Sequence, residues 1–174
     1  MDNKLDKATE CQLQVLRELK VISKSLNINL WLRGGWAIDF LLGQITRIHE
    51  DIDVVTWVEH KETLENALKE AGYAFQQISS RQTDFCKSDV DVQFGFLTRT
   101  SDGTIHFNGK PEWIWRNDCL PPQLYHLEDI ALCVLNPYQL IQEKYDYQEI
   151  GRIPRDKDKK SLELLQHIAN PMKK

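Results

Sequence analysis

Apolar residues recur along this chain in two rhythms, and the switch between them separates helices from strands. Leu5, Ala8, Cys11, Val15, Leu16, Leu19, Ile22 and Leu26 follow three- and four-residue steps with charge between them, which predicts an amphipathic helix packed on a larger body. "LWLRGGWAIDFLLG" then reads as a short strand at residues 30–32, a Gly-Gly turn and a short apolar helix stopped by Gly43. The loop "QITRIHE" leads into a strand at 51–58, and "HKETLENALKEAG" is a second amphipathic helix closed by Gly72. Between 73 and 107 the rhythm shortens to two: "YAFQQIS", "QTDFCKS", "VDVQFGFLT" and "TIHF" are strands, the last two joined by an "SDG" turn. Residues 109–135 read as irregular, rich in Trp, Pro and polar residues, and end in the apolar segment "DIALCVL". "NPYQLIQEKYDYQEIG" opens with an Asn cap and a Pro at the first helical position, and a last helix follows in "PRDKDKKSLELLQHIAN", with Leu162, Leu165 and Ile168 inward. The pattern predicts an α+β fold: a mixed sheet with antiparallel pieces and helices at both ends.

The gross numbers narrow this picture. At 174 residues and 41% hydrophobic, the chain suffices for one compact unit. A net charge of −4 argues against a nucleic-acid partner, which calls for a cationic face to displace counterions. Cys11, Cys86, Cys119 and Cys133 show no close pairing, so neither a zinc cage nor a disulfide framework is expected. The stretch "MDNKLDKATE" is too polar for a leader, and no apolar run approaches the ~20 residues that span a bilayer. A cytoplasmic protein with reduced thiols, monomeric or homodimeric, is expected.

Against that frame one strand is anomalous: "HEDIDVV" sets two acids in an apolar run. Strand side chains alternate, so Asp51 and Asp53 share a face while Ile52, Val54, Thr56 and Val58 point to the core. Two carboxylates ~6.5 to 7 Å apart along a strand repel one another unless solvated or bridged by a cation. Alone, the pair is equally compatible with two solvated acids at a strand end. The strand "SDVDVQFGF" repeats the device, with Asp89, Asp91 and Gln93 opposite an apolar face. Asp91, nearest its middle, is the third candidate; Asp89 fits an ordinary strand end. Three such carboxylates would hold Mg²⁺, a hard cation that shares its positions with phosphate oxygens. Gly34 and Gly35, between strand and helix, supply backbone N–H groups and a helix N-terminus suited to a phosphate.

These parts occur in a recognisable order. "RGGWAIDFLLGQITRIHEDIDVV" resembles the signature of the nucleotidyltransferase superfamily, in which a Gly-Gly helix start precedes an Asp-x-Asp strand and, later, a third Asp on a neighbouring strand. It is similar above all to the aminoglycoside 2″-adenylyltransferases and the lincosamide nucleotidyltransferases, through Gly34, Gly35, Trp36, Asp39, Thr46, Arg47, His49, Asp51 and Asp53. The match is specific over roughly residues 30–56 and loose beyond, where Asp91 corresponds by strand position. The resemblance implies a nucleotidyltransferase-like mixed-sheet core over residues 1–108. Residues 109–174 would form a helical C-terminal segment on the acceptor side, in the same domain or appended to it. It implies transfer of a nucleoside monophosphate, from ATP as co-substrate, to an antibiotic hydroxyl. Asp51, Asp53 and Asp91 would be the catalytic acids and Mg²⁺ ligands, Asp91 alternatively the base, with Gly34, Gly35, Arg47 and His49 on the nucleotide. A toxin or antitoxin module of the same fold acting on protein or RNA, or a binding domain without chemistry, are the rival readings.

For the acceptor, Glu112, Trp113 and Trp115 are the candidate contacts, since aromatic faces pack on sugars and carboxylates pair with ammonium groups. One or more of these tryptophans also suits a small core under a loop. Glu112, Asp118, Glu128 and Asp129 make the segment acidic, which favours a polycationic aminoglycoside over a lincosamide with one amine. Lys144 and the run Arg152, Arg155, Lys157, Lys159 and Lys160 have the reach to meet phosphates, although such runs are more often solvated faces. His106, His126 and His167 read as structural.

Overall fold

The computed structural model describes residues 5–171. Part of the polar N-terminal stretch, residues 1–4, lies outside the described residues. The chain runs α1 (Lys7–Ser25), β1 (Trp31–Arg33), α2 (Gly34–Leu42), β2 (Ile52–Trp57), α3 (Lys61–Glu70), β3 (Ala74–Ile78), β4 (Gln82–Lys87), β5 (Val90–Arg99), β6 (Ile105–Phe107), β7 (Lys110–Trp115), β8 (Leu124–Leu127), β9 (Ile130–Val134), α4 (Pro137–Glu149) and α5 (Asp156–Ala169). The mixed α/β architecture read from the sequence is the one observed.

Local chemistry sets the helix ends. The Asp6 carboxylate accepts from the amides of Ala8 and Thr9 and caps α1. Gly43 turns left-handed to stop α2. Asn136 caps α4, whose first residue is Pro137. On α1 the buried face is shifted from the expected one: Ala8 is exposed, while Thr9 and Gln12 are buried beside Leu13, Val15, Leu16 and Leu19. Gln12 earns burial by two hydrogen bonds described below. Leu165 of α5 is buried, and Leu162 and Ile168 are half-buried.

Among the described residues nine strands form one sheet in the order β3-β4-β5-β2-β1-β9-β8, with β6 pairing β5 and carrying β7. The central pair β2/β5 is parallel, as is β1/β9; β1/β2 and β4/β5 are antiparallel. The segment expected to be irregular, 109–135, instead contributes β7, β8 and β9. Its period-two signal is weak because β7 and β8 are partly exposed edge elements, where neither face imposes a clean alternation.

The inner face of β2 and β5, with Ile52, Val54, Thr56, Val92, Phe94 and Phe96, is buried. α1 packs against β5, β9 and α3, whereas α2 packs against β1, β2, β8, β9 and α5. The parallel register Ile52↔Val92 and Asp53↔Gln93 fixes what lies on the other face. Gln93 stands beside Asp53; Asp91 is two residues earlier on β5, and Asp51 immediately precedes β2.

Candidate active site

The acidic face of β2 opens into a cavity of about 540 Å³ lined by Gly34, Gly35, Arg47, His49, Asp51 and Asp53, with Gln82 and Gln93 from β4 and β5. Six of the residues singled out in the sequence thus meet around one space. Asp91 does not line it: its side chain is exposed, in register with Cys86. Its charge nevertheless reaches Asp51. Asp89 sits in a turn with φ +60°, away from the strand face.

Burial, then the charges of Asp53 and Glu50, push the Asp51 carboxyl up to about 6. Asp53 is likewise pushed up by burial, with Arg33 opposing. Two crowded, partly desolvated oxygen donors fit a hard divalent cation that would complete its shell with water and phosphate oxygens. Among the described residues no three His, Cys, Asp or Glu side chains form a ready cage. Such a cation would therefore be held by Asp51 and Asp53, with the substrate completing its shell.

The glycine pair is a geometric necessity. Gly34 has φ +67°, and a Cβ there would lie 2.7 Å from Oδ2 of Asp53. A Cβ on Gly35 would collide with Nδ1 of His49 and lie 2.7 Å from Nη2 of Arg47. Only glycine lets the start of α2 approach an acid on one side and two basic side chains on the other.

The loop before β2 is held by a buried network. Nε2 of His49 lies 2.6 Å from Oδ2 of Asp39, and Oδ1 of Asp39 accepts from the amide and hydroxyl of Thr46. Nε2 of Gln12 donates to the His49 carbonyl at 2.8 Å, and Nε1 of Trp36 donates to Oε1 of Gln12 at 2.6 Å. The Trp36 ring packs on His49, centroids 4.7 Å apart. Trp36, Asp39, Thr46 and His49 are thus one tie from α2 to the strand of acids.

The opposite wall is basic and comes from α4, α5 and the connection between them: Lys144, Arg152, Arg155, Lys157 and Lys159 line the same cavity. Lys157 pairs with Glu50 at 3.1 Å, and Asp158 takes Lys144 at 3.2 Å and Arg155 at 3.1 Å. Apart from Lys160, which is exposed and outside the cavity lining, the run that resembles a solvated face is a wall because α4 and α5 pack together and turn it inward.

A second cavity of about 300 Å³ adjoins the first and shares Arg33, Glu143 and Tyr147 with it. Glu112, Trp113 and Trp115 line it, with Phe107 and three acids of α4, Glu143, Asp146 and Glu149. Trp115 is buried and belongs to the core, stacked edge-on against Phe107 at 5.0 Å. Asp118 and Asp129 lie elsewhere, paired with Arg116 and Arg17 at 2.8 Å. The acidity of this cavity therefore comes mainly from α4, which the sequence reading did not single out. Burial works against the Arg33 charge, but Glu143, Tyr147 and Asp53 outweigh it and hold the guanidinium ionised.

The family model for aminoglycoside-2″-adenylyltransferase matches residues 15–165, nearly all of these elements. The chain belongs to that family. Among relatives of the aminoglycoside-2″-adenylyltransferase family, a 2″-aminoglycoside nucleotidyltransferase of Klebsiella pneumoniae is 29% identical over 107 residues, 62% of this chain and 51% of the relative. The chain thus matches about half the length of that curated relative. A lincosamide resistance protein of Staphylococcus haemolyticus is 30% identical over 136 residues, 71% of this chain and 80% of the relative. The fold is that of ANT(2″)-Ia in complex with adenylyl-2″-tobramycin, with TM-score 0.75, 19% identity and coverage of 90% and 88% of the two chains. A lincomycin-bound lincosamide antibiotic adenylyltransferase gives TM-score 0.70, 19% identity and coverage of 88% and 95%.

Among the described residues no helix is long and apolar enough to cross a membrane, and the four cysteines are free.

Proposed function

We propose that the protein transfers AMP from ATP, with Mg²⁺, to a hydroxyl of an aminoglycoside antibiotic in the cytosol, without a nucleic-acid partner. One observation carries the reading: a single cavity sets two aspartates against a basic wall and adjoins a second cavity of aromatic and acidic side chains. A metal triphosphate suits the first and an ammonium-bearing sugar the second.

Asp51 and Asp53 would hold Mg²⁺, which supplies charge neutralisation at the transferred phosphoryl group. The amides at the start of α2, Arg47 and His49 would receive the β- and γ-phosphates, with the cations of α4 and α5 closing the other side. The acceptor hydroxyl would attack the α-phosphorus as pyrophosphate leaves, its proton passing to a carboxylate. Asp91, exposed and outside the lining of the cavity but with its charge reaching Asp51, would take that role or a share in the metal. Glu112, Trp113 and Trp115 would contact the acceptor.

Stabilisation by ATP with Mg²⁺ in a thermal melt, followed by pyrophosphate release across antibiotics, tests the reading. Turnover with kanamycin, gentamicin or tobramycin is the expected result. Because ammonium groups meet acids of α4, the acceptor KM should rise with salt, which a flat profile between 50 and 300 mM NaCl (about 14 to 6 Å of screening length) would contradict. The lincosamide relative, matched over 80% of its length, supports a second reading. Turnover with lincomycin or clindamycin alone would select it.

Gly34→Ala gives a separate check on the geometry. The left-handed backbone strain costs about 1 kcal/mol, and the new Cβ displaces the Asp53 carboxylate. A loss of at least about tenfold in kcat is expected with only a few degrees of Tm lost. Full turnover in this variant would show that Asp53 need not sit where it does.

A further inference from the structure

Arg33 stands where the two cavities meet. It ends β1, in register with Asp53, and its side chain is 11% exposed. Its Nε donates to Oε1 of Glu143 at 2.8 Å, and its Nη2 donates to the Tyr147 hydroxyl at 2.6 Å. The guanidinium carbon lies 5.1 Å from the Phe107 ring centre and 5.9 Å from that of Trp115. A guanidinium has five N–H donors, and these contacts use two. Nη1 makes no hydrogen bond among the described residues.

A buried ion pair adds little to stability, since an apolar pair of similar volume is often as good or better. What this arrangement does provide is a cation that cannot rotate away, in a poorly hydrated wall, with donors left over. Fixed donors of this kind stabilise charge that builds up during a reaction without having to reorganise. The wall they occupy is the one the reacting group must straddle, between the acids of β2 and the aromatic cavity.

We propose that Arg33 is a catalytic residue whose remaining N–H donors hold a non-bridging oxygen of the transferred α-phosphoryl group. The inference rests on the reading of the first cavity as the nucleotide site. In the step, the acceptor oxygen forms its bond to the α-phosphorus. The bond from that phosphorus to the oxygen bridging to the β-phosphate breaks, and pyrophosphate departs with the electron pair. The hydroxyl proton goes to a carboxylate base. Arg33 transfers no proton in this sequence; it stays ionised and neutralises charge on the phosphoryl oxygens as donors of fixed geometry do.

Removing Arg33 alone would strand the buried Glu143 charge, so the main test uses Arg33→Met combined with Glu143→Leu, which deletes both charges at similar volume. With α,β-methylene-ATP and Mg²⁺ bound, the ³¹P resonance of the α-phosphorus is expected to move between wild type and the double variant while the γ resonance stays. In turnover, kcat should fall about 100-fold while the Kd for ATP with Mg²⁺ changes less than about threefold. Free guanidinium ion at millimolar concentration should restore part of the turnover of Arg33→Ala combined with Glu143→Leu, where no stranded carboxylate is left for it to neutralise and a merely structural role gives no rescue. A bound analogue whose α resonance is the same in both proteins overturns the Arg33 assignment alone. Wild-type protein that binds no analogue overturns it together with the nucleotide reading. A wild type that binds the analogue but turns over no antibiotic overturns only the acceptor, because the resonance still decides the role of Arg33.

Discussion

Asp53→Asn is expected to lower turnover by roughly 10³-fold or more, about 4 kcal/mol of transition-state stabilisation, with the fold intact. The amide keeps the volume of the carboxylate but neither its charge nor its affinity for a hard cation. Asp51→Asn should behave alike. The two acids are also desolvated and crowded, conditions that push both carboxyl groups up from their ordinary range. Deleting one charge therefore relieves repulsion, and the Tm measured without metal and nucleotide should equal or exceed that of wild type. Pyrophosphate release above a few per cent of wild type at saturating Mg²⁺ would remove Asp51 and Asp53 from the metal site. A large fall in Tm would mean that they serve the fold.

The opposite signature is expected at Asp39. This carboxylate is fully buried and accepts from both polar groups of Thr46 while holding Nε2 of His49. Asp39→Ala leaves these partners unsatisfied and opens a void under the loop, at a cost of about 3 to 5 kcal/mol. For a chain of this size that corresponds to roughly 10 °C in Tm. Turnover should fall as well, since the same loop carries Arg47 and His49 and leads into Asp51. Asp39→Asn, which retains an acceptor for Thr46, should lose less. A Tm within 2 °C of wild type in Asp39→Ala, a change of no more than about 1 kcal/mol, would show that the network is not what holds the loop.

Much of the candidate site is legible in the sequence, for a simple reason. A strand that exposes acid from an apolar run breaks a period-two rule, and a Gly-Gly turn at a helix start has few uses. Both signals lie within about twenty consecutive residues, where order along the chain and proximity in space nearly coincide. The basic wall was not legible in the same way. Lys144, Arg152 and Lys157 are ninety or more residues from Asp51, and a run of surface charge looks the same whether it meets water or a cavity. Arg33 carried no signal, because an arginine ahead of two glycines reads as part of the turn. Its partners Glu143 and Tyr147 lie on a helix whose sequence shows only that it is a helix.

The sequence by itself determined the elements up to β6 and the two C-terminal helices, the apolar face of β2 and β5, and the chemistry of the loop from Gly34 to Asp53, because alternation, capping and backbone freedom act over a few residues. Only the tertiary structure decided that Asp53 faces Gln93, that α4 and α5 turn cations toward the aspartates, and that Asp118 and Asp129 are engaged elsewhere while Glu143, Asp146 and Glu149 line the second cavity. Those outcomes depend on strand register and on which helix faces pack together. Both are set by the burial of apolar surface over the whole domain, to which no single stretch of residues holds the key.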